Sequence, residues 1–534
     1  MSAEYYLRML SPAVLLFSCI WLSTVLHRYM YQSKRTDGKS TQSPHRPHSP
    51  DSSSLVALKR YKIRNEFIPR AGGSPIIAGE WQSEGYRGWI ILIGILLLTY
   101  LSRQFYQNLK RFGTLFSTTG SNFLYRIFVS EFVEFLTAIL VIYFFSFFAF
   151  VVEKLKLKLP KFRLLLHLVA HLVMLGFLAL ATWYLLERRY AVSISFRFAV
   201  IAHAFVQYLK MVSYLGTNEY LSNLRGEKNG GSAGRLLQST FSKNQVTKMP
   251  LSQIHQALAH RGIDTPQESE ARKVLLDLVE LDEYRRTIYP INVSLFNFIE
   301  FSCLPVLVYE PKYPRAATVD YHVVIEKIVL IAGIILVEWF LLEHFIVPSI
   351  VRLVHDKDPT YSVVEAMLDL AVPLQIFVVF VFYLVFECIL GANAELMRLA
   401  DRMTYADWWN ATTFEEFSRK WNKPVHEFLL RHVHIEAQNS FGLDRRTSTV
   451  TTFLYSIVAH EIILLAMFGI FRPYLGFFSL FQIPLWFVMR SPLFQNRVLG
   501  NIVFWSCLTM AWPLMCVLYC REYCLQVEGN CRLY

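Results

Sequence analysis

The sequence predicts an all-α polytopic membrane protein, and three features carry that prediction. First, 54% of the 534 residues are hydrophobic and only 18% are charged, whereas soluble chains carry about 25% charged residues. Second, several apolar runs reach or approach the roughly 20 residues that a helix needs to cross a bilayer. Third, basic residues gather in loops, so we attribute the net charge of +12 to membrane topology and expect no nucleic-acid partner.

The N-terminal part of the chain is predicted to hold an anchor and a tail. Met9–Leu26 is apolar, and no small-residue cleavage site precedes the basic cluster that follows it. Residues 1–35 are therefore interpreted as a hydrophobic anchor rather than a signal peptide. Residues 36–85 are predicted to be a disordered cytosolic tail, because the proline-rich stretch 36–54 has no aliphatic side chain to bury.

Nine further spans are predicted within a membrane core of residues 86–524. The loop 153–163 has five basic residues and one glutamate, which puts it in the cytosol by the positive-inside rule. Counting spans from there makes the loops 217–322 and 391–448 cytosolic and the C-terminus 525–534 lumenal. The nine spans lie near residues 88–102, 130–152, 164–186, 196–216, 323–347, 366–390, 449–470, 473–490 and 499–520.

The long loop 217–322 is predicted to have three parts. Residues 226–250 have the glycine-rich composition of a flexible linker. An amphipathic surface helix with a capping box at its start is predicted over 266–286. The apolar run from Phe296 to Tyr309 is interrupted by Pro305 and is too short to span. We therefore expect this run to lie in the bilayer surface or dip into it.

A polar cluster lies where an apolar chain tolerates it poorly. Thr404–Asn410 reads Thr-Tyr-Ala-Asp-Trp-Trp-Asn in the loop 391–448, and His460 with Glu461 follows inside the span 449–470. A charged residue at the centre of a membrane helix costs about 2.5–3.5 kcal/mol on insertion scales. An imidazole changes charge near neutral pH, so His460 suits a general base. A histidine in an apolar helix also commonly serves packing or helix–helix hydrogen bonding, and that alternative stays open.

The loop 391–448 and the span after it resemble a known family. Residues 405–410 are similar to the Tyr-x-Asp-Trp-Trp-Asn signature of the sterol O-acyltransferases and the acyl-CoA:diacylglycerol acyltransferases, both of the membrane-bound O-acyltransferase superfamily. The stretches 421–433 and 456–461 look like the fungal sterol-esterifying branch. Two positions depart from the pattern: Thr404 replaces a phenylalanine, and Val212 stands where a histidine is expected. Upstream, residues 289–292, 307–309 and 313–315 also match.

The resemblance implies a membrane-bound O-acyltransferase fold and a multi-pass enzyme of the endoplasmic reticulum membrane. Such an enzyme transfers a long-chain acyl group from acyl-CoA to the 3-hydroxyl of a sterol similar to ergosterol or cholesterol, and forms a homodimer or a dimer of dimers. The implied catalytic pair is His460 as general base and Asn410 as hydrogen-bond donor. No metal or other cofactor is expected, because the thioester of the co-substrate is already activated.

The remaining candidate residues are expected to bind substrate. Ser456 lies one helical turn before His460 and shares its face, although helix packing explains a serine there equally well. The basic residues of the loop suit the phosphates of CoA, but they can also lie among lipid headgroups. The predicted substrate-binding residues are Tyr405, Asp407, Trp408, Trp409, Asn422, His426, Arg431, His432, Ser456 and Glu461.

Two other functions stay open from the sequence. Within the same superfamily, diacylglycerol is the rival acceptor, and the product would be triacylglycerol. A proton-coupled transporter would instead use His460 with acids predicted inside spans, although helix-end placement or pairing explains those acids more simply. The acids are Glu131, Glu134, Glu338, Glu343 and Asp369.

Cysteines and one histidine pair give weaker signals. Cys524 and Cys531 are expected in the oxidising lumen, where they could close a small loop or stay reduced; some members of the sterol branch have a lumenal C-terminal disulfide. His167 and His171 share one helical face, which would suit a metal, but no partner ligand lies nearby in sequence. We interpret that pair as structural.

Overall fold

The computed structural model describes residues 109, 129–228, 288–355, 362–480 and 497–526. In that part of the chain the regular structure is helical, apart from one isolated β-bridge between Arg315 and Leu399, so the all-α fold class is confirmed. The predicted anchor, tail, 266–286 helix and span near 88–102 lie outside the described residues. So do most of the span near 473–490, most of the 226–250 linker and the C-terminus 525–534.

Thirteen numbered α-helices lie in the described part of the chain, and residues 474–480 are helical as well. Three π-helical turns, at Leu342–Ile346, Tyr383–Ile389 and Leu429–His434, each join two successive helices of the numbered set. The helices are α1 (Phe132–Lys158), α2 (Arg163–Glu187), α3 (Ile194–Lys228), α4 (Leu295–Cys303), α5 (Tyr321–Leu341), α6 (Val347–His355), α7 (Val363–Phe382), α8 (Leu390–Leu396), α9 (Phe414–Trp421), α10 (Lys423–Phe428), α11 (Ile435–Phe441), α12 (Arg445–Phe468) and α13 (Arg497–Gln526).

Six helices of the described ranges are long and apolar enough to cross a membrane, and each matches a predicted span. They are α1, α2, α3, α7 continued through α8, α12 and α13. The span predicted near 323–347 also forms a helix, α5, but it includes three acidic or basic residues, Glu326, Lys327 and Glu338, and is not among the six. The chain is therefore a multi-pass membrane protein.

Two sequence predictions between the spans meet different outcomes. The apolar run before Pro305 forms only the nine-residue helix α4, so it is too short to span, as predicted. Helix α3 continues past the predicted end of the preceding span at residue 216, to Lys228. Glu219 in this continuation is buried, and its carboxylate pairs with Arg163 at 3.3 Å.

The helices pack in two groups around separate apolar cores. One core joins α1, α2 and α3 to α12, and it includes Ile201 and Tyr455. The second joins α5, α6 and α7 to α12 and α13, and it includes Ile350 and Val517. A third, aromatic cluster surrounds Trp408 and links the 404–410 stretch to α7 and α13. That stretch is therefore held by membrane helices.

Contacts between helix ends divide the loops into two groups, and these are the groups that the predicted topology assigns to opposite sides of the membrane. Residues 153–163 lie beside Glu219, and Arg315 lies beside residues 397–399, so predicted cytosolic segments meet predicted cytosolic segments. Arg189 contacts Gly469 and Tyr523, which all belong to predicted lumenal ends. The grouping is an observation; which group faces the cytosol stays a prediction.

Two of the acids predicted inside the membrane, Glu131 and Glu134, have partners at the helix ends. Both carboxylate oxygens of Glu131 accept hydrogen bonds from Ser193, at 2.7 Å from the amide and 2.6 Å from the hydroxyl. Glu134 pairs with Arg188 at 2.8 Å. His167 lies 2.9 Å from the Lys156 ammonium. These contacts give the residues structural roles.

Candidate active site

Residues 404–410, which we call the signature loop, begin with two contacts to the π-helical turn Tyr383–Ile389. The Tyr405 ring is buried, and its hydroxyl donates to Oε2 of Glu387 at 2.7 Å. The Thr404 hydroxyl donates to the Phe386 carbonyl at 3.5 Å. The residue that departs from the family pattern therefore makes a polar contact that phenylalanine could not make.

Two tryptophans fix the end of the signature loop. Trp408 is buried, with its ring centroid 4.6 Å from that of Trp421 in an edge-to-face arrangement. The Trp409 carbonyl accepts a hydrogen bond from the side chain of Asn501 on α13 at 2.9 Å. Asn410 ends the short 3-10 helix Trp408–Asn410 and is exposed. The loop therefore holds Asn410 at the surface on a rigid support.

Asp407 and Asn422 contact protein groups in the structure. Asp407 is exposed and pairs with Lys420 at 3.0 Å. Burial alone would lower the pKa of Lys420, but hydrogen bonds from its ammonium to Glu416 and Asp407 outweigh burial and raise it. Asn422 accepts the Val425 amide at 3.2 Å and caps α10. Both residues help to shape the loop, and their predicted contact with substrate stays a prediction.

His460 is exposed on the membrane-spanning helix α12. Its Nδ1 lies 2.7 Å from the carbonyl of Ser456, one helical turn earlier. A carbonyl only accepts, so we assign the proton to Nδ1, which leaves the lone pair of neutral imidazole on Nε2. Ser456 thus contacts the histidine through its backbone, and this orients the ring for a base at Nε2.

Glu461 joins three elements of the structure. One carboxylate oxygen accepts the Gly476 amide at 2.6 Å, and the other accepts the Tyr519 hydroxyl at 3.3 Å. These bonds tie α12 to the segment after it and to α13. The Tyr519 hydroxyl also donates to the Arg472 carbonyl at the shorter distance of 2.7 Å, so the Gly476 amide is the stronger of the two contacts of Glu461. The predicted contact of Glu461 with substrate stays a prediction.

The three basic candidates of the loop differ in what they contact. Arg431 is buried and pairs with Glu310 at 2.8 Å. Nε2 of His432 lies 2.8 Å from the Ser213 hydroxyl. Burial, with the nearby positive charges of Arg419 and Lys423, lowers the pKa of His426. The lowered pKa favours the neutral imidazole, which offers a hydrogen bond rather than a positive charge.

A buried polar network crosses this region, and the sequence did not reveal it. The Ser213 hydroxyl accepts the Tyr309 amide at 2.8 Å, so it bridges Tyr309 to His432. The Tyr309 hydroxyl donates to Asn297 at 2.6 Å and accepts from Asn292 at 3.0 Å. Several motifs that resemble the family thus meet in one network. Only knowledge of long-range contacts could have joined them.

A cleft lies between the signature loop and the segment that follows α4. Apolar residues 305–308 line it together with Thr404 and the charged side chains of Glu310, Asp401 and Arg431. In the described part of the chain, no group of three or more histidine, cysteine, aspartate or glutamate side chains could hold a metal ion. Also among the described residues, no hydrogen bond joins Asn410 to His460, the predicted catalytic pair.

The chain matches the model of the membrane-bound O-acyltransferase family over residues 263–521. It is 37% identical over 241 residues to the probable sterol O-acyltransferase 1 of Schizosaccharomyces pombe, and the aligned region covers 44% of this chain and 45% of that protein. It is 30% identical over 349 residues to the sterol O-acyltransferase 2 of Candida albicans, covering 60% and 56%. It is also 33% identical over 229 residues to the diacylglycerol O-acyltransferase 1-1 of rice, covering 42% of each.

The structure is that of a polytopic helical membrane protein, and the signature loop followed by a histidine on the next membrane helix agrees with the membrane-bound O-acyltransferase class. The family model matches just under half of the chain, and over that part the predicted resemblance is confirmed. The matched regions span about half the length of the curated sterol O-acyltransferases described above.

Proposed function

We propose that the chain is an acyl-CoA-dependent sterol O-acyltransferase of the endoplasmic reticulum membrane, which makes steryl esters. The observation that carries the proposal is the exposed imidazole of His460 on a membrane-spanning helix, with its Nδ1 proton held by the Ser456 carbonyl. That hydrogen bond leaves Nε2 available as a base. The similarity to the sterol O-acyltransferases of two fungi supports a sterol as the acceptor.

In the proposed reaction, Nε2 of His460 takes the proton of the sterol 3-hydroxyl. The hydroxyl oxygen attacks the carbonyl carbon of the acyl-CoA thioester directly, while Asn410 donates a hydrogen bond to the developing oxyanion. The carbon–sulfur bond then breaks, and the imidazolium returns its proton to the CoA thiolate. Positioned proton transfer typically contributes about 10²–10⁴-fold to the rate.

The proposal assigns the two substrates to two environments. Asn410 lies on a loop that we predict to be cytosolic, where water-soluble acyl-CoA is present. His460 lies on a helix that a membrane-dissolved sterol can reach. No hydrogen bond joins the two side chains in the described structure, so we propose that the reacting groups bind between them. A homodimer or a dimer of dimers is part of the proposal by resemblance alone.

Microsomes from cells that express the chain test the proposal. They are incubated with labelled oleoyl-CoA and, in separate reactions, ergosterol, cholesterol or diacylglycerol, with microsomes from cells that lack the chain as the control. Labelled steryl ester above that control is the expected result. Failure to form ester from either sterol would contradict the proposal.

Diacylglycerol is the second candidate acceptor, and the similarity to a rice diacylglycerol O-acyltransferase favours it. The same incubation decides between the two, because triacylglycerol without steryl ester would identify diacylglycerol as the acceptor. Formation of neither product would favour the transporter interpretation of the intramembrane charges.

A further inference from the structure

A buried ion pair lies where α5 meets the π-helical turn after α7. Lys327 on α5 approaches Oε1 of Glu387 at 2.6 Å, and both side chains are less than a tenth exposed. The second carboxylate oxygen of Glu387 accepts the hydroxyl of Tyr405 at 2.7 Å. One carboxylate thus joins a membrane helix on one side to the signature loop on the other.

The local backbone explains why Glu387 can reach the loop. Glu387 lies in the π-helical turn Tyr383–Ile389, where the wider turn changes the direction of side chains and the partners of carbonyls. The Phe386 carbonyl of that turn accepts the Thr404 hydroxyl. Two successive residues of the turn therefore hold two successive residues of the loop.

Asn410 depends on this attachment through a short stretch of chain. The Ala406 amide bonds to the Lys420 carbonyl at 2.9 Å, and the Asn410 amide bonds to the Asp407 carbonyl at 3.1 Å. The loop is thus held at its start by the contact of Tyr405 with Glu387 and at its end by the contact of Trp409 with α13. We expect loss of the first contact to loosen the loop and to widen the range of positions that Asn410 takes.

We propose that Glu387 is a positioning residue, which holds Tyr405 and thereby sets the position of Asn410, while Lys327 orients its carboxylate. The inference rests on the proposed function for its catalytic consequence. It also gives Tyr405 a role in holding the loop, whereas the sequence assigned that residue to substrate.

Stability alone does not explain the arrangement. Replacing a buried ion pair by apolar side chains of similar volume is often neutral or stabilising. A pair that served packing only could therefore be replaced without loss of turnover. A pair that positions the loop could be replaced only if an acceptor for the Tyr405 hydroxyl remained.

Three variants separate these possibilities. The double variant Lys327→Met/Glu387→Gln keeps a carbonyl oxygen for the Tyr405 hydroxyl, and Lys327→Met/Glu387→Leu removes it. Tyr405→Phe removes the hydroxyl and keeps the ring and the ion pair. All three are purified with the wild-type protein, checked by thermal melting, and assayed for kcat and for KM of both substrates.

We expect kcat to fall in the variants that lack the hydrogen bond between the side chain of residue 387 and the Tyr405 hydroxyl. The glutamine variant stays within about threefold of the wild-type kcat, and the leucine variant and Tyr405→Phe each lose about 10-fold to 100-fold, the size of effect that a small misplacement causes. Their KM values change little, because the loss falls on the transition state. Combining Tyr405→Phe with the leucine variant lowers kcat no further, since both remove one interaction.

An activity-independent readout keeps the inference separate from the proposed function. Hydrogen–deuterium exchange over residues 404–410 should be faster in the leucine variant and in Tyr405→Phe than in the glutamine variant and the wild type. Equal exchange rates in the wild type and the three variants, or a wild-type kcat in Tyr405→Phe, would overturn the positioning role of Glu387. A different outcome would overturn the proposed function alone. In that outcome the leucine variant and Tyr405→Phe exchange faster than the wild type, but the wild type forms no steryl ester.

Discussion

At the scale of single residues, the environment of each side chain decides which chemistry it can perform. His460 is exposed and held through Nδ1, which leaves Nε2 for the proposed base, whereas Glu461 beside it accepts the Gly476 amide and lies near the Tyr519 hydroxyl. The two adjacent ionisable residues thus have different surroundings. The sequence identified both positions, but it could not separate them, because the partners of Glu461 lie 15 and 58 residues away.

The lowered pKa of His426 predicts a pH dependence of stability. The unfolded chain protonates His426 more readily than the folded chain does. The protein therefore loses stability as the pH falls below about 6.5, the ordinary pKa of histidine. We expect the melting temperature of the wild type to fall more between pH 7.5 and 5 than that of His426→Gln. Thermal melts in detergent at matched ionic strength measure the difference, and equal falls would contradict the assignment.

The buried pair of Arg431 and Glu310 predicts that a single substitution lowers stability and that substitution of both residues restores most of it. Arg431→Met leaves the Glu310 carboxylate without its guanidinium and should cost about 3–5 kcal/mol of stability, whereas Arg431→Met/Glu310→Leu should recover most of it. Thermal melting measures both. The double variant also tests substrate binding: a large rise in the KM for acyl-CoA would show that Arg431 contacts CoA, and an unchanged KM would show that it does not.

At the scale of elements, hydropathy predicted the membrane helices and the short helix α4 well. It did not predict that α3 continues beyond the apolar run, where Glu219 is buried and pairs with Arg163. It also missed the three π-helical turns, because a π turn has no hydrophobic period of its own. The contact between Ser213 and His432 joins residues 219 positions apart, and one sequence carries no sign of it.

The end of α4 depends on Lys210 of α3. Its ammonium donates to the carbonyls of Phe301, Ser302 and Leu304 at 3.1, 2.8 and 2.6 Å. Lys210→Met should lower stability by at least about 2 kcal/mol, because buried carbonyls that lose a donor cost about 1–3 kcal/mol. The exposed Lys158→Met is the matched control. Thermal melting that gives equal stability for the two variants would contradict the role of Lys210.

At the scale of the whole molecule, the loop ends form two groups, and the positive-inside rule assigns them to opposite sides of the membrane. Cys524, at one of the predicted lumenal ends, is disulfide-bonded, which agrees with an oxidising compartment. Its partner lies outside the described residues. On this prediction, the signature loop lies on the cytosolic side.

Glycosylation mapping tests this sidedness. The sequence Asn410-Ala-Thr412 is a formal acceptor site, and Asn410 is exposed, so it should stay unmodified only because it faces the cytosol. A sequon on a flexible extension after Tyr534 should be modified. Mobility shifts before and after endoglycosidase treatment measure both, and a glycan at Asn410 or an unmodified extension would contradict the topology.

The central claim is that His460 removes the proton of the acceptor hydroxyl. The most direct test compares steryl ester formation by the wild type, His460→Ala and the control His322→Ala, which changes an exposed histidine at the start of α5. All three are compared at equal protein level and melting temperature. The account predicts that His460→Ala loses turnover while His322→Ala keeps it. Retained turnover in folded His460→Ala would contradict the account.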